Sequence, residues 1–413
     1  MITGDADSAK HQHGGAARRL FVPEETLRRV GPFMKAAGIT RVANVTNLDT
    51  VGMPVVNVYR PNSRSISVSQ GKGITLAAAK TSGVMEALEL SAAERPPLPL
   101  RRAGHADLRR QHSVVDVWNL PRFATSSFRD TVPLSWAEGI DLADGGAARW
   151  VPFDVVHTDW TLPLVAGSEM FVISTNGLAS GNSFMEAASH AICELVERDA
   201  TTLWSCQGDA DRKACRIATA TIDDEDCRRL LDTFERAGIA VGIWESTTDV
   251  GIPSFQCMIA ERDSASLRRV PPAAGQGCHP AREVALARAL TEAAQKRLTL
   301  ITGARDDLQR SEYAKRLDAA HAGRVMDLIR EPEGRRFRDG PAGPRASAGD
   351  EVAWAVERLA AIGLRQVVAI ELTARDLPFS VVRVVVPGLE PMHDIEGYVP
   401  GARARARLGE QAP

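Results

Sequence analysis

The stretch GNSFMEAASHAICELVER (181–198) places three acids and a histidine on a single predicted helix. At about 100° per residue, Glu186, His190, Glu194 and Glu197 fall within an arc of about 80°, and the apolar residues cluster on the opposite side. Taken alone, this pattern is typical of an amphipathic surface helix whose acidic face is exposed to water.

Two further segments of the chain repeat this arrangement. Each of the three predicted helices follows a glycine-containing turn, and each carries the pattern E-x-x-[E/Q] at the same distance from its start. The segments are GKGITLAAAKTSGVMEALEL (71–90), the opening stretch, and AREVALARALTEAAQKR (281–297), and their pairs are Glu86 with Glu89, Glu194 with Glu197, and Glu292 with Gln295. Three matches at one offset suggest an internal repeat.

Carboxylates held close together repel one another and raise their own pKa values, and a hard divalent cation relieves that repulsion. Mg²⁺ is the usual choice where phosphate oxygens complete its ligand shell. Positive residues flank the three motifs, and the turn SVSQGKG (67–73) has the serines and glycines that let backbone N–H groups approach phosphate. The pattern therefore predicts a magnesium–nucleotide site, although no Walker A sequence is present.

The composition agrees with a soluble globular protein. The chain has 413 residues, of which 44% are hydrophobic and 25% charged, and its net charge is −2. This balance argues against nucleic acid or a membrane as a partner. The six cysteines show no CxxC spacing and are predicted to be reduced, and the polar N-terminus predicts a cytoplasmic protein.

Predicted strands and helices are interspersed without strict βαβ alternation, so the predicted fold class is α+β. We expect a disordered tail at 1–20, one domain over 21–407 and a short tail at 408–413. The polar, Gly-, Pro- and Arg-rich segment 331–350 is predicted to be an exposed loop.

Three regions of the sequence resemble the signature regions of the YcaO family. They are SRSISVSQGKG with SGVMEALE, then TNGLASGNSFMEAASHAICELVERDA, and GCHPAREVALARALTEAAQKRLTLITGARDD, and the resemblance spans roughly residues 25–407. It implies a YcaO-type fold of mixed or antiparallel sheets with packed helices, in which three helices converge on a Mg²⁺–ATP site. It also implies an ATP-dependent enzyme that phosphorylates the oxygen of a peptide backbone amide.

The resemblance also implies the residues of the site. The positions matching those that hold Mg²⁺–ATP are Ser69, Lys72, Glu86, Glu89, Glu194, Glu197, Arg198, Glu292, Gln295 and Arg297. The five glutamates in this set are the expected Mg²⁺ ligands. The family more often has a small residue at Lys296, and the resemblance assigns no catalytic residue.

Two departures from the family pattern bear on the product. Azoline-forming members end in a Pro-x-Pro-x-Pro tail and carry or recruit a leader-binding domain, whereas this chain ends YVPGARARARLGEQAP and has about 20 to 25 residues before the match. Both departures favour the branch that forms thioamides on a precursor peptide with a TfuA-like partner and a sulfide donor. An azoline-forming cyclodehydratase and an ATP-binding accessory protein remain alternatives, and a homodimer is the family expectation.

Overall fold

The computed structural model describes residues 19–163, 170–263, 270–307, 310–311, 313, 317–343, 346–374, 376–394 and 397–409. Most of the tails predicted at 1–20 and 408–413 lie outside these residues. The described residues form two compact units: unit 1 holds 88–207 and 344–413, and unit 2 holds 19–87 and 208–343. The boundary near residue 87 falls inside helix α2 (Leu76–Glu94), which contributes to both units.

Near its N-terminal end, unit 2 contains a small antiparallel sheet. Its strands, in spatial order, are β1 (Arg41–Asn44), β2 (Val55–Tyr59) and β3 (Val68–Lys72). The register pairs Val55 of β2 with Lys72 of β3, so the last residue of β3 stands beside the first of β2. Helix α1 (Pro23–Val30) precedes the sheet.

The second sheet of unit 2 carries most of its core. Strands β8 (Ile239–Glu245), β9 (Ser254–Glu261) and β10 (Ala273–Cys278) pair antiparallel in the order β10-β9-β8. Helices α6 (Glu225–Arg236) and α7 (Arg282–Thr302) pack with this sheet around one cluster of buried apolar side chains. Unit 2 also contains α5 (Asp209–Ala214) and α8 (Ala319–Arg330).

Unit 1 is organised around a six-stranded antiparallel sheet. Its strands are β4 (Leu100–Gly104), β5 (Pro133–Asp141), β6 (Ala147–Pro152), β7 (Leu178–Gly181), β11 (Val368–Glu371) and β12 (Ser380–Val385). The order is β4-β5-β11-β12-β7, and β6 pairs with β5. All pairings in the described sheets are antiparallel, which confirms the α+β prediction.

Helix α4 (Phe184–Ser205) packs against β7 and β12 and is the central helix of unit 1. Its start is capped: Ser183 Oγ accepts a hydrogen bond from the Glu186 amide, and Glu186 Oε1 accepts bonds from the backbone amide and the side chain of Asn182. The remaining helices of unit 1 are α3 (His105–Leu108), α9 (Ala348–Ala361) and α10 (Ala402–Leu408).

The same strand–helix contact occurs three times in the chain. A Cβ atom added at Gly71 of β3 would overlap the Ala79 carbonyl oxygen of α2, and one added at Gly277 of β10 would overlap the Ala285 oxygen of α7. A Cβ atom at Gly181 of β7 would lie 2.6 Å from the amide of Ala187 in α4. Glycine is required at these positions because strand and following helix are in backbone contact.

This arrangement corrects one prediction: the glycines lie in strands rather than in turns. The segment 331–350 also differs in part from the predicted exposed loop. Most of its described residues are exposed or half-buried, but Phe337 is fully buried between Phe255 and the Arg282 guanidinium. From Ala348 onward the segment belongs to α9.

Candidate functional site

The three acidic pairs occupy equivalent places on their helices. Counted from the first residue of α2, α4 and α7, each pair occupies the eleventh and fourteenth positions. At a rise of about 1.5 Å per residue, the eleventh position lies about 15 Å from the helix start. The six residues are all half-buried, so the acidic face of α4 is only partly exposed to water.

In unit 1, Glu194 lies close to a buried arginine. One carboxylate oxygen of Glu194 accepts a hydrogen bond from the Gly177 amide at 3.1 Å. Arg383 on β12 is 1% exposed, and its guanidinium donates to the carbonyl oxygens of Val156 at 3.1 Å and Asn176 at 2.7 Å. Burial lowers the pKa of Arg383 to about 10, against the opposing effect of Glu194 and Glu89.

Among the residues that the structure describes, no carboxylate lies within hydrogen-bonding distance of Arg383, and one of its donors has no acceptor. Among the described residues, neither its Nη2 atom nor the nearby Asn176 Oδ1 atom has a hydrogen-bond partner, and both atoms are buried. Such atoms are rare in folded proteins and are commonly satisfied by a ligand or water. Sequence reasoning missed Arg383, although an arginine within the apolar run FSVVRVVVP (379–387) was a visible signal.

In unit 2, Glu292 of α7 is bound by two lysines. Its Oε2 accepts from Lys72 Nζ at 2.6 Å, and its Oε1 pairs with Lys296 Nζ at 2.9 Å. The Lys296 ammonium also donates to Gln276 Oε1 at 2.6 Å. Burial opposes the charge of Glu292, but Lys296 and Lys72 outweigh it and hold the pKa of this carboxyl well below its usual range.

Gln295, the partner of Glu292 in the repeat, joins α7 to β3. Its Nε2 donates to the backbone oxygen of Gln70 at 2.5 Å. The Gln70 side chain in turn bonds Asn57 at 2.9 Å and accepts from the Thr299 hydroxyl. These bonds fix the face of β3 that carries Gln70 and Lys72 against α7.

Ser69 lies on the other face of β3. Side chains alternate along a strand, so Ser69 and Gly71 face α2 whereas Gln70 and Lys72 face α7. Ser69 is 2% exposed. Ser69 and Lys72 therefore lie on opposite faces of β3, and the assignment of both residues to the nucleotide remains a prediction.

Arg297 has a structural role in place of the predicted contact with phosphate. It is 2% exposed, and its guanidinium binds Asp49 at 2.8 Å and Glu261 at 2.6 Å. Burial lowers the pKa of Arg297, but the two carboxylates reverse this effect and leave it raised. Because its charge is neutralised inside unit 2, this predicted site residue is corrected to an internal ion pair.

The other predicted residues sit on the same helix faces. Glu86 of α2 interacts electrostatically with Arg305, whose guanidinium is hydrogen-bonded to Asp307. Glu197 and Arg198 are half-buried on α4. The convergence of the three helices on one nucleotide remains a prediction.

The donor set fits a magnesium–nucleotide complex better than a protein-only metal site. Among the described residues, no group of three or more His, Cys, Asp or Glu side chains is placed to hold a metal ion. Mg²⁺ commonly takes one or two carboxylates and completes its shell with phosphate and water oxygens. Within unit 1 the Glu194 carboxylate lies near the Arg383 guanidinium, and within unit 2 the lysines of β3 and α7 lie together, and these are the two kinds of group that bind Mg²⁺ and phosphate.

Comparison with protein families matches residues 70–390 to the family described as YcaO cyclodehydratase, ATP- and Mg²⁺-binding. The chain belongs to the YcaO family. The cofactors predicted from the sequence, ATP and Mg²⁺, are those of this family.

Curated relatives cover most of the chain. A protein of Rhizobium leguminosarum bv. trifolii, encoded in the 3′ region of tfuA, is 38% identical over 92% of this chain and 90% of its own length. A protein of Methanothermobacter thermautotrophicus is 32% identical over 94% of this chain and 98% of its own. Both are named as uncharacterised proteins.

Solved structures share the fold of this YcaO protein. A heterocyclase in complex with substrate and cofactor superposes with a TM-score of 0.79 at 20% identity, covering 97% of this chain and 56% of that chain. YcaO from Methanopyrus kandleri bound with AMPPCP and Mg²⁺ superposes with a TM-score of 0.70 at 24% identity, covering 92% of this chain and 94% of that chain.

Among the described residues of our chain, no helix has the length and apolar character needed to cross a bilayer.

Proposed function

We propose that this YcaO protein uses ATP and Mg²⁺ to convert a backbone amide of a ribosomally made peptide into a thioamide, with a TfuA-like partner. The observation that carries the proposal is the relative encoded beside tfuA, which is 38% identical over nearly the whole length of both chains. Family membership supports the coarser part, an ATP-dependent enzyme. A sulfide donor and a homodimer belong to the proposal as expectations.

The proposed reaction balances with hydrosulfide as the nucleophile. The sulfur adds to the amide carbon, the amide oxygen takes the terminal phosphoryl group of ATP, and the C–O bond breaks as phosphate leaves. Peptide amide, HS⁻ and ATP thus give thioamide, ADP and inorganic phosphate, which carries the former amide oxygen and the proton of HS⁻. ATP is needed because an amide oxygen is a very poor leaving group and phosphate is a good one.

The residues of this chain that we assign to Mg²⁺ are Glu86, Glu89, Glu194 and Glu197, with Arg198 and Lys72 toward the phosphates. The support is chemical: these glutamates are half-buried at equivalent positions on α2 and α4, and the buried Arg383 guanidinium interacts electrostatically with Glu194. Glu292 differs from these four because both its oxygens already bind ammonium groups.

An azoline-forming cyclodehydratase is the second candidate function. The family description and the fold shared with a heterocyclase favour it. In that case the nucleophile would be a Cys, Ser or Thr side chain of the peptide in place of sulfide, and water would be lost overall. An ATP-binding accessory protein would bind nucleotide but would change no peptide.

The deciding experiment is intact-mass analysis of a short peptide encoded near this gene, after co-expression with the protein and a TfuA-like partner. Exchange of one oxygen for one sulfur, resolved from oxidation by accurate mass, supports thioamidation, whereas loss of one water supports the cyclodehydratase. A peptide labelled with ¹⁸O in its amides adds a second readout, because either reaction transfers the label to inorganic phosphate. An unchanged peptide with unlabelled phosphate, in the presence of the partner, would refute both enzymatic assignments.

A further inference from the structure

The third repeat, on α7, has more positively charged side chains around its glutamate than a set of magnesium ligands would have. Lys72 and Lys296 both bind Glu292, and Arg288 lies one turn earlier on the same helix. The Arg288 guanidinium donates to the carbonyl oxygen of Cys278 at 3.1 Å. Two cations therefore bind one carboxylate in this part of unit 2, and a third lies one turn away on the same helix.

A magnesium ion at Glu292 would be unfavourable in this setting. Each carboxylate oxygen is already in a short charge-assisted bond, at 2.6 Å to Lys72 and 2.9 Å to Lys296. A divalent cation on the remaining lone pairs of these oxygens would lie close to both ammonium groups, and the repulsion between the like charges would oppose its binding. The same surroundings attract an anion.

The contact between Glu292 and Lys296 is more than a helix-stabilising pair. Glutamate and lysine four residues apart on a helix commonly attract each other weakly. Here the Lys296 ammonium is also held by Gln276 of β10 at 2.6 Å, and Lys72 reaches the same carboxylate from the end of β3. Residues of β3, β10 and α7 thus hold two ammonium groups against the Glu292 carboxylate.

The two ammonium groups are accessible as well as fixed. The side chains of Lys72 and Lys296 are 24% and 42% exposed, whereas that of Glu292 is 15% exposed. A ligand from solvent therefore meets the lysines before it meets the carboxylate. Each ammonium has three donors, so either lysine can keep its bond to Glu292 and donate to a ligand oxygen as well.

We infer that Glu292 is a positioning residue that holds Lys72 and Lys296 for the phosphate chain of the nucleotide, and that it is not a Mg²⁺ ligand. Lys296 then becomes a phosphate-binding residue of this chain. The inference rests on the proposed nucleotide site and reverses the assignment that the sequence predicts for Glu292. It also gives a function to Lys296, where the sequence departs from the family pattern.

Calorimetric titration with ATP and with adenosine tests this assignment on the purified full-length chain. For Lys296→Ala we expect ATP affinity to fall on the order of tenfold to a hundredfold, the range for a lost charge-assisted hydrogen bond, with adenosine affinity unchanged. Lys296→Arg should recover most of the loss because it keeps the charge. Lys80→Ala, at an exposed lysine of α2, is the matched control.

A Mg²⁺ titration at fixed ATP separates the roles of the two glutamates. Glu292→Gln should weaken ATP binding with Mg²⁺ present or chelated, and should leave the Mg²⁺ concentration at half-saturation unchanged. Glu194→Gln should raise that concentration. The inference is overturned if Glu292→Gln raises it as much as Glu194→Gln does, or if Lys296→Ala behaves like Lys80→Ala. Wild-type protein that binds no ATP at all would instead refute the proposed function.

Discussion

Replacing Arg403 by alanine would test how the C-terminal helix α10 is held on α4. The Arg403 guanidinium makes a bidentate contact with Asp199, in which Nε donates to Oδ1 at 2.9 Å and Nη2 donates to Oδ2 at 3.0 Å. Asp199 is fully buried and directly follows Arg198. The truncation leaves its carboxylate inside unit 1 with one remaining bond, from the Glu390 amide at 3.0 Å.

Two estimates of the cost agree. Loss of two hydrogen bonds to a charged group gives about 3–6 kcal/mol, at about 1.5–3 kcal/mol each. Breaking a buried ion pair by removing one partner commonly costs about 3–5 kcal/mol. The remaining bond from Glu390 and protonation of Asp199 both reduce the penalty, so we expect about 3 kcal/mol of lost stability near neutral pH.

The penalty should depend on pH. Burial raises the pKa of Asp199 despite Arg403, so its contribution to stability is lost as pH rises through the folded-state pKa. Arg403→Ala removes the positive charge that opposes this rise, so the pKa of Asp199 rises further. The destabilisation caused by Arg403→Ala should therefore be smaller at about pH 5 than at about pH 8.

Urea unfolding followed by tryptophan fluorescence, at both pH values, measures these differences. Arg407→Ala, at an exposed position of the same helix, is the control and should change stability by less than about 0.5 kcal/mol. Adding Asp199→Asn to Arg403→Ala should recover part of the loss because it removes the buried charge. A penalty equal to that of Arg407→Ala, or one that grows on acidification, would refute the reasoning.

Three further predictions concern packing and metal binding. Gly277→Ala should lower the free energy of unfolding in urea by at least the 1–3 kcal/mol, roughly, that overpacking commonly costs, because the added Cβ atom would overlap the α7 backbone. Gly208→Ala is the control and should be nearly neutral, because a Cβ atom at Gly208 would meet no other atom within 4 Å. Phe337→Ala should cost about 3–5 kcal/mol in the same assay, and a loss under about 1 kcal/mol would contradict its role as a buried anchor. Glu194→Gln should weaken nucleotide-dependent Mg²⁺ binding in equilibrium dialysis, seen as a higher Mg²⁺ concentration at half-saturation, without lowering the unfolding midpoint. Unchanged binding would contradict its assignment.

The helices were predictable because their signals are local. The helix predicted on the stretch 181–198 is found at Phe184–Ser205, because the Ser183 cap and the 3.6-residue apolar period are both local to that part of the sequence. The same holds for α2 and α7. Strands β8, β9 and β12 were also visible, because β-branched and aromatic residues mark them.

Features that depend on distant residues were not predictable. Strand β10, AAGQGC (273–278), has no β-branched residue, and its identity comes from pairing with β9. Arg297 looked available for phosphate because its partner Asp49 lies 248 residues away in sequence. The face on which Ser69 lies depends on which helix packs against each side of β3.

The internal repeat explains why the acidic pairs share one position while their chemistry differs. Contact between a strand glycine and the following helix fixes each helix on its strand, so a residue ten places from the helix start reaches the same height each time. At that height, α2 and α4 present glutamate pairs. On α7, Gln295 replaces the second acid, and lysines cover the first. One backbone arrangement thus supplies carboxylates twice and ammonium groups once, which is why we assign the first two repeats to the metal and the third to the phosphates.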